Sequence, residues 1–259
     1  MKTLQLTADD FGYNPAVDDA VLALIDARRL SGTACMTRAP GWRDAAARIG
    51  ARAAHAGFGL HLDLTEFAPH RRALWPLIGA ALARRLDPAA LRDEITAQCV
   101  LFEDATGRAP DYVDGHQHVH QLPQIRDALV DVLAARYADR LPRLRVSGAR
   151  AGDGLKPRFI AALGAAALLR RARAAGFQCT PRLLGAYDFG GDATNYRRRL
   201  DGWLDAADDG DAIMCHPATH ALPGDPIGDA RTREYAVLGA PRFEQTLAAH
   251  GVRLGAMRP

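Results

Sequence analysis

The sequence has few cysteines, and no motif pairs them. Four cysteines stand far apart in a chain of 259 residues and include no CxxC pair, which argues against a disulfide framework and a thiolate zinc site. Long apolar runs are also lacking, since the nearest, FIAALGAAALLRRARAAG, is short and interrupted by arginines. The N-terminal MKTLQLTADD lacks the pattern of a secretory signal. We therefore expect a cytoplasmic protein with reduced thiols and no integral membrane segment.

The chain also lacks a large excess of either charge. Its 33 basic and 30 acidic residues leave a net charge of +3, which does not indicate nucleic-acid binding, and the arginines are scattered rather than gathered in one tract. A hydrophobic content of 48% is ample for a sizeable core. Without a linker, a composition break or a repeat, one domain over residues 1–259 is the expected organisation. The sequence is compatible with a homodimer and does not decide between one copy and two.

Short apolar segments alternate with longer amphipathic ones along the chain. TLQLTA predicts a first strand that ends near Ala8, and Asn14-Pro15 predicts the start of the next helix. A loop is expected through residue 87, and Asp87-Pro88 then starts a further helix. RLRVS predicts a later strand, and a helix is expected over about residues 157–175. Alternating strands and helices indicate parallel strands with crossover helices. About seven such units in this length favour an α/β fold of the (β/α) barrel type over an open sheet.

Polar side chains collect where the predicted strands end, which is where parallel α/β folds carry their chemistry. The stretch LTADDFGYNP places Asp9 and Asp10 at the end of the first strand. A turn at Phe11-Gly12 would bring both carboxylates into one site. Taken alone, the stretch is equally typical of an aspartate-rich turn before a helix.

The densest polar signal is the segment DGHQHVHQLP. Asp114, His116, His118 and His120 recur at every second position, which predicts that an extended segment carries them on one face. Three histidines beside an aspartate indicate metal binding or acid–base chemistry, because neutral imidazole is a common metal ligand. We expect one ligand from this segment, with the other side chains orienting ligands or facing substrate.

Two further strand ends supply histidines. GLHLDLTE places His61 and Asp63 on one face, and IMCHPATH places His216 where Pro217 forces a turn. Cys215 points to the opposite face and is expected to pack. One aspartate and two histidines suit a single divalent ion, such as Zn²⁺, Mg²⁺, Co²⁺, Mn²⁺ or Ni²⁺. The remaining aspartate is then available to take a proton from an attacking water.

In their order and spacing, the motifs TADDFG, GLHLDLTE, DGHQHVH and IMCHPA resemble those of the YdjC-like carbohydrate deacetylases. That group includes chitooligosaccharide deacetylase and the hopanoid-associated sugar deacetylases. The match extends from Leu6 to about Pro217, and RTREYAVL, residues 231–238, shows a weaker resemblance to the same family. The resemblance implies a distorted (β/α) barrel related to polysaccharide deacetylases. It also implies metal-dependent removal of acetyl groups from N-acetylated sugars, either free oligosaccharides or glycolipids.

The resemblance further implies a role for each motif residue. Asp10, His61 and His116 would hold one divalent ion, with Mg²⁺ or Zn²⁺ as the first choices. Asp9 would be the base, and His216 the acid that protonates the leaving amine. The other candidates would orient ligands or contact substrate: Asp63, Asp114, His118, His120, and Trp75 from the loop after His61.

Two other functions stay open from the sequence alone. Amidohydrolases and phosphoesterases also use an HxH pair on a barrel strand, but usually on the first strand, where this chain has Asp9 and Asp10. Two metal ions per chain would favour that class. A non-catalytic sugar- or metal-binding protein would be expected to lack Asp9 or His216, and both residues are present.

Overall fold

Parallel strands alternate with helices in the computed structural model of the protein, which describes residues 1–180 and 182–259. The strands of these residues are β1 (Lys2–Phe11), β2 (Gly32–Cys35), β3 (Gly57–Leu62), β4 (Tyr112–Gly115), β5 (Arg143–Arg145), β6 (Cys179–Thr180), β7 (Leu183–Leu184), β8 (Ala212–Cys215) and β9 (Val252–Leu254). The helices are α1 (Pro15–Asp26), α2 (Trp42–Ala47), α3 (Leu74–Leu82), α4 (Pro88–Thr106), α5 (Ile125–Arg136), α6 (Leu155–Ala162), α7 (Ala165–Ala174), α8 (Ala193–Ala206), α9 (Gly228–Leu238) and α10 (Phe243–Ala249).

The sheet closes almost completely into a barrel. Its strands follow the order β6-β5-β4-β3-β2-β1-β8-β7, and β9 pairs beside β1. The two ends of this path, β6 and β7, are joined in the chain by residues 181–182 alone, so Thr180 and Leu183 lie within roughly 11 Å of each other. The predicted fold class is therefore confirmed, with eight strands along the path where about seven were expected.

Local capping signals set two helix boundaries as predicted. The side chain of Asn14 accepts a hydrogen bond from the Val17 amide at 3.0 Å, with Pro15 at the first position of α1. Asp87 caps α4 in the same way, and α4 ends at Thr106 before Gly107, whose φ of 70° is the left-handed conformation that glycine adopts readily.

Three helical segments differ from the prediction. The expected loop before residue 87 contains α3, and the single helix expected over residues 157–175 is divided into α6 and α7. The break is at Gly164, where φ is 146° and a Cβ atom would lie 2.1 Å from the carbonyl oxygen of Gln121. Helix α9 was not predicted, because its buried face includes Arg231 and Glu234 instead of an apolar stripe.

The end of β1 explains how two adjacent carboxylates reach one site. The strand continues to Phe11 instead of ending near Ala8, so Asp9 and Asp10 both belong to it. Asp10 has a φ of 70°, and the register with β2 shifts between Ala8 and Phe11. This bulge interrupts the alternation of side chains. The turn expected at Phe11-Gly12 follows directly, with the Tyr13 amide donating to the Asp10 carbonyl oxygen at 2.9 Å and Gly12 at a φ of 94°.

Apolar side chains fill two regions around the sheet. The larger core packs the helices against the strands, and a smaller cluster includes Tyr112 and Met214, which share a strand face with Asp114 and His216 and therefore lie inside the barrel. Within residues 1–180 and 182–259, we find no helix with the length and apolar character needed to cross a bilayer.

Candidate active site

A cavity of about 500 Å³ opens at the carboxyl ends of the barrel strands. The motifs at the ends of β1, β3, β4 and β8 all contribute to its wall. Its lining residues include seven predicted site residues, namely Asp9, Asp10, His61, Trp75, His116, His118 and His216. Side chains separated by more than 200 residues in the chain thus meet in one place, because parallel strands end at the same edge.

Asp10, His61 and His116 form the group best suited to hold a metal ion. Asp10 Oδ1 lies 3.5 Å from His61 Nε2 and 3.1 Å from His116 Nδ1, and the candidate ligand atoms all lie within 4.8 Å of one another. The other ring nitrogen of His61, Nδ1, lies 2.6 Å from Asp114 Oδ1. A carboxylate behind a histidine fixes the orientation of the ring for metal binding, so Asp114 supports the group from outside.

Arg145 holds the neighbouring carboxylate, Asp9, in place. Its Nη2 donates to Asp9 Oδ1 at 2.6 Å and forms an ion pair with Asp114 Oδ2, while Nη1 donates to Thr7 Oγ1 at 2.9 Å. Burial raises the pKa of Asp9 to about 6, although the positive charge of Arg145 acts to lower it. A carboxylate with that pKa is ionised at neutral pH and still basic enough to accept a proton.

A second group of possible ligands, Asp9, His61 and Asp114, is also close enough to bind an ion. Two of its three members, Asp9 and Asp114, are already paired with the guanidinium of Arg145. A cation placed among them would be repelled by that charge at short range in a buried site. This group is therefore a poorer metal site than the one around Asp10.

Asp10 has a different environment from Asp9. Arg231, from α9, donates from Nη2 to Asp10 Oδ2 at 2.7 Å and from Nε to Asp225 Oδ2 at 2.8 Å. Burial alone would raise the pKa of Asp10, but the charge of Arg231 and the hydrogen bond with His116 outweigh it, so the pKa lies well below its usual value. Asp10 therefore stays ionised, with Oδ2 bound to arginine and Oδ1 beside the two histidines.

His216 lies next to Asp9 in the cavity wall. Its Nε2 is 4.0 Å from Asp9 Oδ2, and its backbone amide donates to Glu234 Oε2 at 2.6 Å. Glu234 also accepts from the Tyr187 hydroxyl at 2.7 Å, and the ring of Phe189 packs edge-on against His216. Burial lowers the pKa of His216 to about 3, so its ring is neutral in the free protein.

The expectation that the histidines of DGHQHVHQ share one extended face was wrong. Residues His116–Gln121 form a 3₁₀ turn, in which Gln117 and His118 have positive φ values of 51° and 62°. Each such conformation costs about 1–3 kcal/mol for a residue other than glycine. The turn places His116 and His118 in the cavity wall and leaves His120 fully buried outside it.

The structure gives these additional histidines distinct contacts. His118 Nδ1 lies 2.9 Å from Ser147 Oγ, and burial holds the pKa of His118 well below its usual value. His120 Nε2 donates to the Arg145 carbonyl oxygen at 3.1 Å. His118 therefore offers a neutral ring to a bound molecule, whereas His120 supports the strand that carries Arg145.

Two other predicted residues lie further from the reacting groups. The carboxylate of Asp63 accepts hydrogen bonds from the four backbone amides of residues 65–68, at 2.6–3.1 Å. It is not among the residues that line the cavity, and these hydrogen bonds hold the loop after β3. A role for Asp63 in orienting a ligand or contacting substrate stays a prediction. Trp75 does line the cavity, but from α3 rather than from a loop, with its side chain largely exposed.

Sequence reasoning missed Arg145, Arg231 and Glu234. Arg145 lies in RLRVS, which predicts only a strand, and the other two lie in RTREYAVL, which carries only a weak resemblance to the family. The sequence does carry one signal for Arg145: its strand must be buried in this fold. A buried charge needs partners of opposite charge, so Arg145 could have been expected to pair with carboxylates. No comparable local signal in the sequence distinguishes Arg231 from the arginines that are expected on the surface.

Comparisons with known proteins show the family of this chain. The sequence pattern of the family described as YdjC-like protein matches residues 3–249. A carbohydrate deacetylase from Homo sapiens is 30% identical over 98% of this chain and 90% of its own length. A chitooligosaccharide deacetylase from Serratia marcescens is 28% identical over 99% of this chain and 98% of its own.

Solved structures show the same fold. A proposed cellobiose-phosphate cleavage protein from Enterococcus faecalis V583 superposes with a TM-score of 0.74 at 20% identity, covering 99% of this chain and 97% of its own. A family 4 acetyl xylan esterase from Clostridium thermocellum gives a TM-score of 0.51 at 14% identity, covering 98% and 88%. Since the family pattern spans nearly the whole chain, this protein belongs to the YdjC-like protein family.

Proposed function

We propose that this protein is a metal-dependent hydrolase that removes acetyl groups from N-acetylated sugars. One observation carries the proposal: a group of one carboxylate and two imidazoles lies in the same cavity as a separate, arginine-bound carboxylate and a histidine. The names of the relatives, carbohydrate deacetylase and chitooligosaccharide deacetylase, support the substrate class. A small oligosaccharide or the sugar of a glycolipid would satisfy the same chemistry.

The donor atoms of Asp10, His61 and His116 fit a divalent cation. Their mixed oxygen and nitrogen set suits Zn²⁺ or Mg²⁺, and also Co²⁺, Mn²⁺ or Ni²⁺. Such an ion, once bound, would polarise the acetamide carbonyl and lower the pKa of a coordinated water. Asp114 would keep the His61 ring oriented, through the contact of 2.6 Å between His61 Nδ1 and its own Oδ1.

The residues around this group divide the proton transfers between them. Asp9 takes a proton from the water that attacks the acetyl carbonyl, while Arg145 holds the carboxylate in position. His216 then gives a proton to the amine as the carbon–nitrogen bond breaks. Because the His216 ring is neutral in the free protein, it has to gain that proton within the cavity. Asp9 becomes protonated in the first step and lies 4.0 Å away, which makes it the nearest source.

The remaining cavity wall suits a sugar. Its volume falls within the usual range for small-molecule sites. Aromatic rings that can stack on a sugar face lie beside polar groups that can bind hydroxyls, and these lining residues are Tyr13, Glu66, Trp75, Gln117, Lys156, Phe159 and Phe189. The cytoplasmic location and the homodimer stay predictions.

The competing class, a two-metal amidohydrolase or phosphoesterase, has less support. Its second ion would have to share His61 and displace Arg145 from Asp9 and Asp114. A metal titration of the metal-stripped protein, followed by acetate release from N-acetylglucosamine and short chitooligosaccharides, separates the two classes. The proposal predicts one ion per chain and acetate release that returns with that ion. Two ions per chain, or release without any ion, would contradict it.

A further inference from the structure

Helix α3 has no polar side chain on any face. Its sequence, LWPLIGAAL, packs Leu77 and Ile78 against the core, yet Trp75 and Leu82 on the outer side are 66% and 57% exposed. Surface helices normally present a polar outer face, and a helix that is apolar all round is normally covered by protein or lipid. The outer side of α3 is therefore apolar but is not covered by the protein or lipid that such a helix normally contacts.

Helix α6 extends this apolar surface. Leu155 and Phe159 are 83% and 51% exposed, and the rings of Trp75 and Phe159 lie 6.1 Å apart. Apart from Met1, the four residues Trp75, Leu82, Leu155 and Phe159 are the exposed large hydrophobic side chains of residues 1–180 and 182–259. We call them the α3–α6 face. Their concentration on two helices marks an interaction surface rather than scattered exposure.

Arginines frame the α3–α6 face. Arg71-Arg72 precede α3, Arg84-Arg85 follow it, and Arg158 lies in α6; all five are exposed. Across the described part of the chain, other arginines form many ion pairs, but none involves these five. Unpaired cations around an apolar centre complement an anionic lipid surface, where headgroups take the charges and the acyl boundary takes the apolar side chains.

We propose that the α3–α6 face docks this protein onto an anionic lipid bilayer. At nine residues, α3 is far too short to span the bilayer and would lie in the plane of its interface. A second copy of the chain fits less well, because a twofold contact through this face would bring the same arginines together. Trp75 and Phe159 also line the cavity, so a docked molecule would open its cavity toward the headgroups. The docking does not depend on the proposed reaction.

Vesicle flotation of the full-length protein tests the proposal. We expect the protein to float with vesicles of phosphatidylcholine and phosphatidylglycerol (7:3), to float less with phosphatidylcholine alone, and to be released by high salt. Arg84→Gln/Arg85→Gln should weaken partitioning to the anionic vesicles by about tenfold or more. The charge-matched control, Arg140→Gln/Arg173→Gln, changes exposed arginines near the opposite end of the barrel and should leave partitioning unchanged.

Two substitutions at Leu82 test the contribution of the apolar side chains to vesicle binding. Leu82→Gln should weaken partitioning to both vesicle types, whereas Leu82→Met should retain it, and thermal unfolding of each variant confirms that the fold is kept. Absence of flotation with anionic vesicles would overturn the proposal, as would flotation that Leu82→Gln and Arg84→Gln/Arg85→Gln leave unchanged. A concentration-dependent dimer that Leu82→Gln dissociates, without vesicle binding, would assign the face to a second copy instead.

Discussion

Arg145 and Asp9 form a buried ion pair in which Nη2 lies 2.6 Å from Oδ1. The same guanidinium binds Asp114, whose other oxygen orients His61. One arginine therefore links the carboxylate proposed to accept a proton with the carboxylate that supports a metal ligand. Through this link, the two parts of the candidate site keep a fixed distance from each other.

Arg145→Met is expected to destabilise the protein strongly. It would remove the guanidinium that pairs with two buried carboxylates, Asp9 and Asp114, and breaking a buried ion pair from one side costs about 3–5 kcal/mol. Arg145→Lys keeps the charge but not the fork that reaches both carboxylates, so it should fall between wild type and Arg145→Met. Urea denaturation measures these differences, with exposed Arg140→Met as the control. A loss below about 1 kcal/mol for Arg145→Met would contradict the buried network.

Asp114→Asn is expected to weaken metal binding without removing a ligand. The asparagine would keep the shape behind His61 but not the negative charge, and such changes typically cost 10–100-fold in metal affinity. Competition titration with a zinc or cobalt indicator measures the affinity. The exposed control Asp139→Asn should bind as wild type does. Equal affinities for both variants would show that Asp114 does not support the ligand.

His216→Asn tests the proposed acid through the leaving group. On an N-acetylated sugar, loss of the acid should lower kcat by about 10²–10⁴-fold, since an amine must be protonated to leave. On 4-nitrophenyl acetate, whose leaving group departs as a stable anion, the same variant should lose much less. Steady-state kinetics on both substrates provides the comparison. An equal loss on both would assign His216 a role other than proton donation.

Glu234 should make stability depend on pH. Burial raises its pKa from 4.5 to about 7, so the folded chain holds this proton more tightly than the unfolded chain does. The resulting stabilisation is complete below about pH 4.5 and is lost as the pH rises through about 7. Glu234→Gln removes the titration and still offers an acceptor to the His216 amide.

Relative to Glu234→Gln, wild type should therefore lose on the order of 3 kcal/mol between pH 4.5 and 8. Urea denaturation of both proteins across this range gives the difference. Exposed Glu244→Gln serves as the matched control. A constant difference between wild type and Glu234→Gln would mean that Glu234 does not titrate with a raised pKa in the folded protein.

Much of the fold follows from local sequence signals. The helix starts at Asn14-Pro15 and Asp87-Pro88 depend on capping chemistry within a few residues, and the structure has both. The barrel follows from the alternation of strands and helices. Helix α3 was missed because a short apolar stretch between arginines lacks the amphipathic period by which surface helices are recognised.

The site was predictable only where each residue carried its own motif. Asp9, Asp10, His61 and His216 lie at or just after the carboxyl ends of their strands, so topology alone brings them together. The positions of His118 and His120 depend on a left-handed backbone conformation at Gln117 and His118. Neither position is a glycine, the residue that would indicate such a conformation in the sequence. Contacts such as that of Arg231 with Asp10 join residues 221 apart in the chain, and only the folded arrangement reveals them.

The central claim is that the adjacent carboxylates have separate tasks, Asp10 in holding the metal ion and Asp9 in accepting the proton. The most direct test measures bound metal and acetate release together in Asp9→Asn and Asp10→Asn. We predict that Asp9→Asn retains one divalent ion per chain and loses about 10²–10⁴-fold in kcat, whereas Asp10→Asn loses the ion itself. Full activity in Asp9→Asn, or undiminished metal binding in Asp10→Asn, would contradict the account.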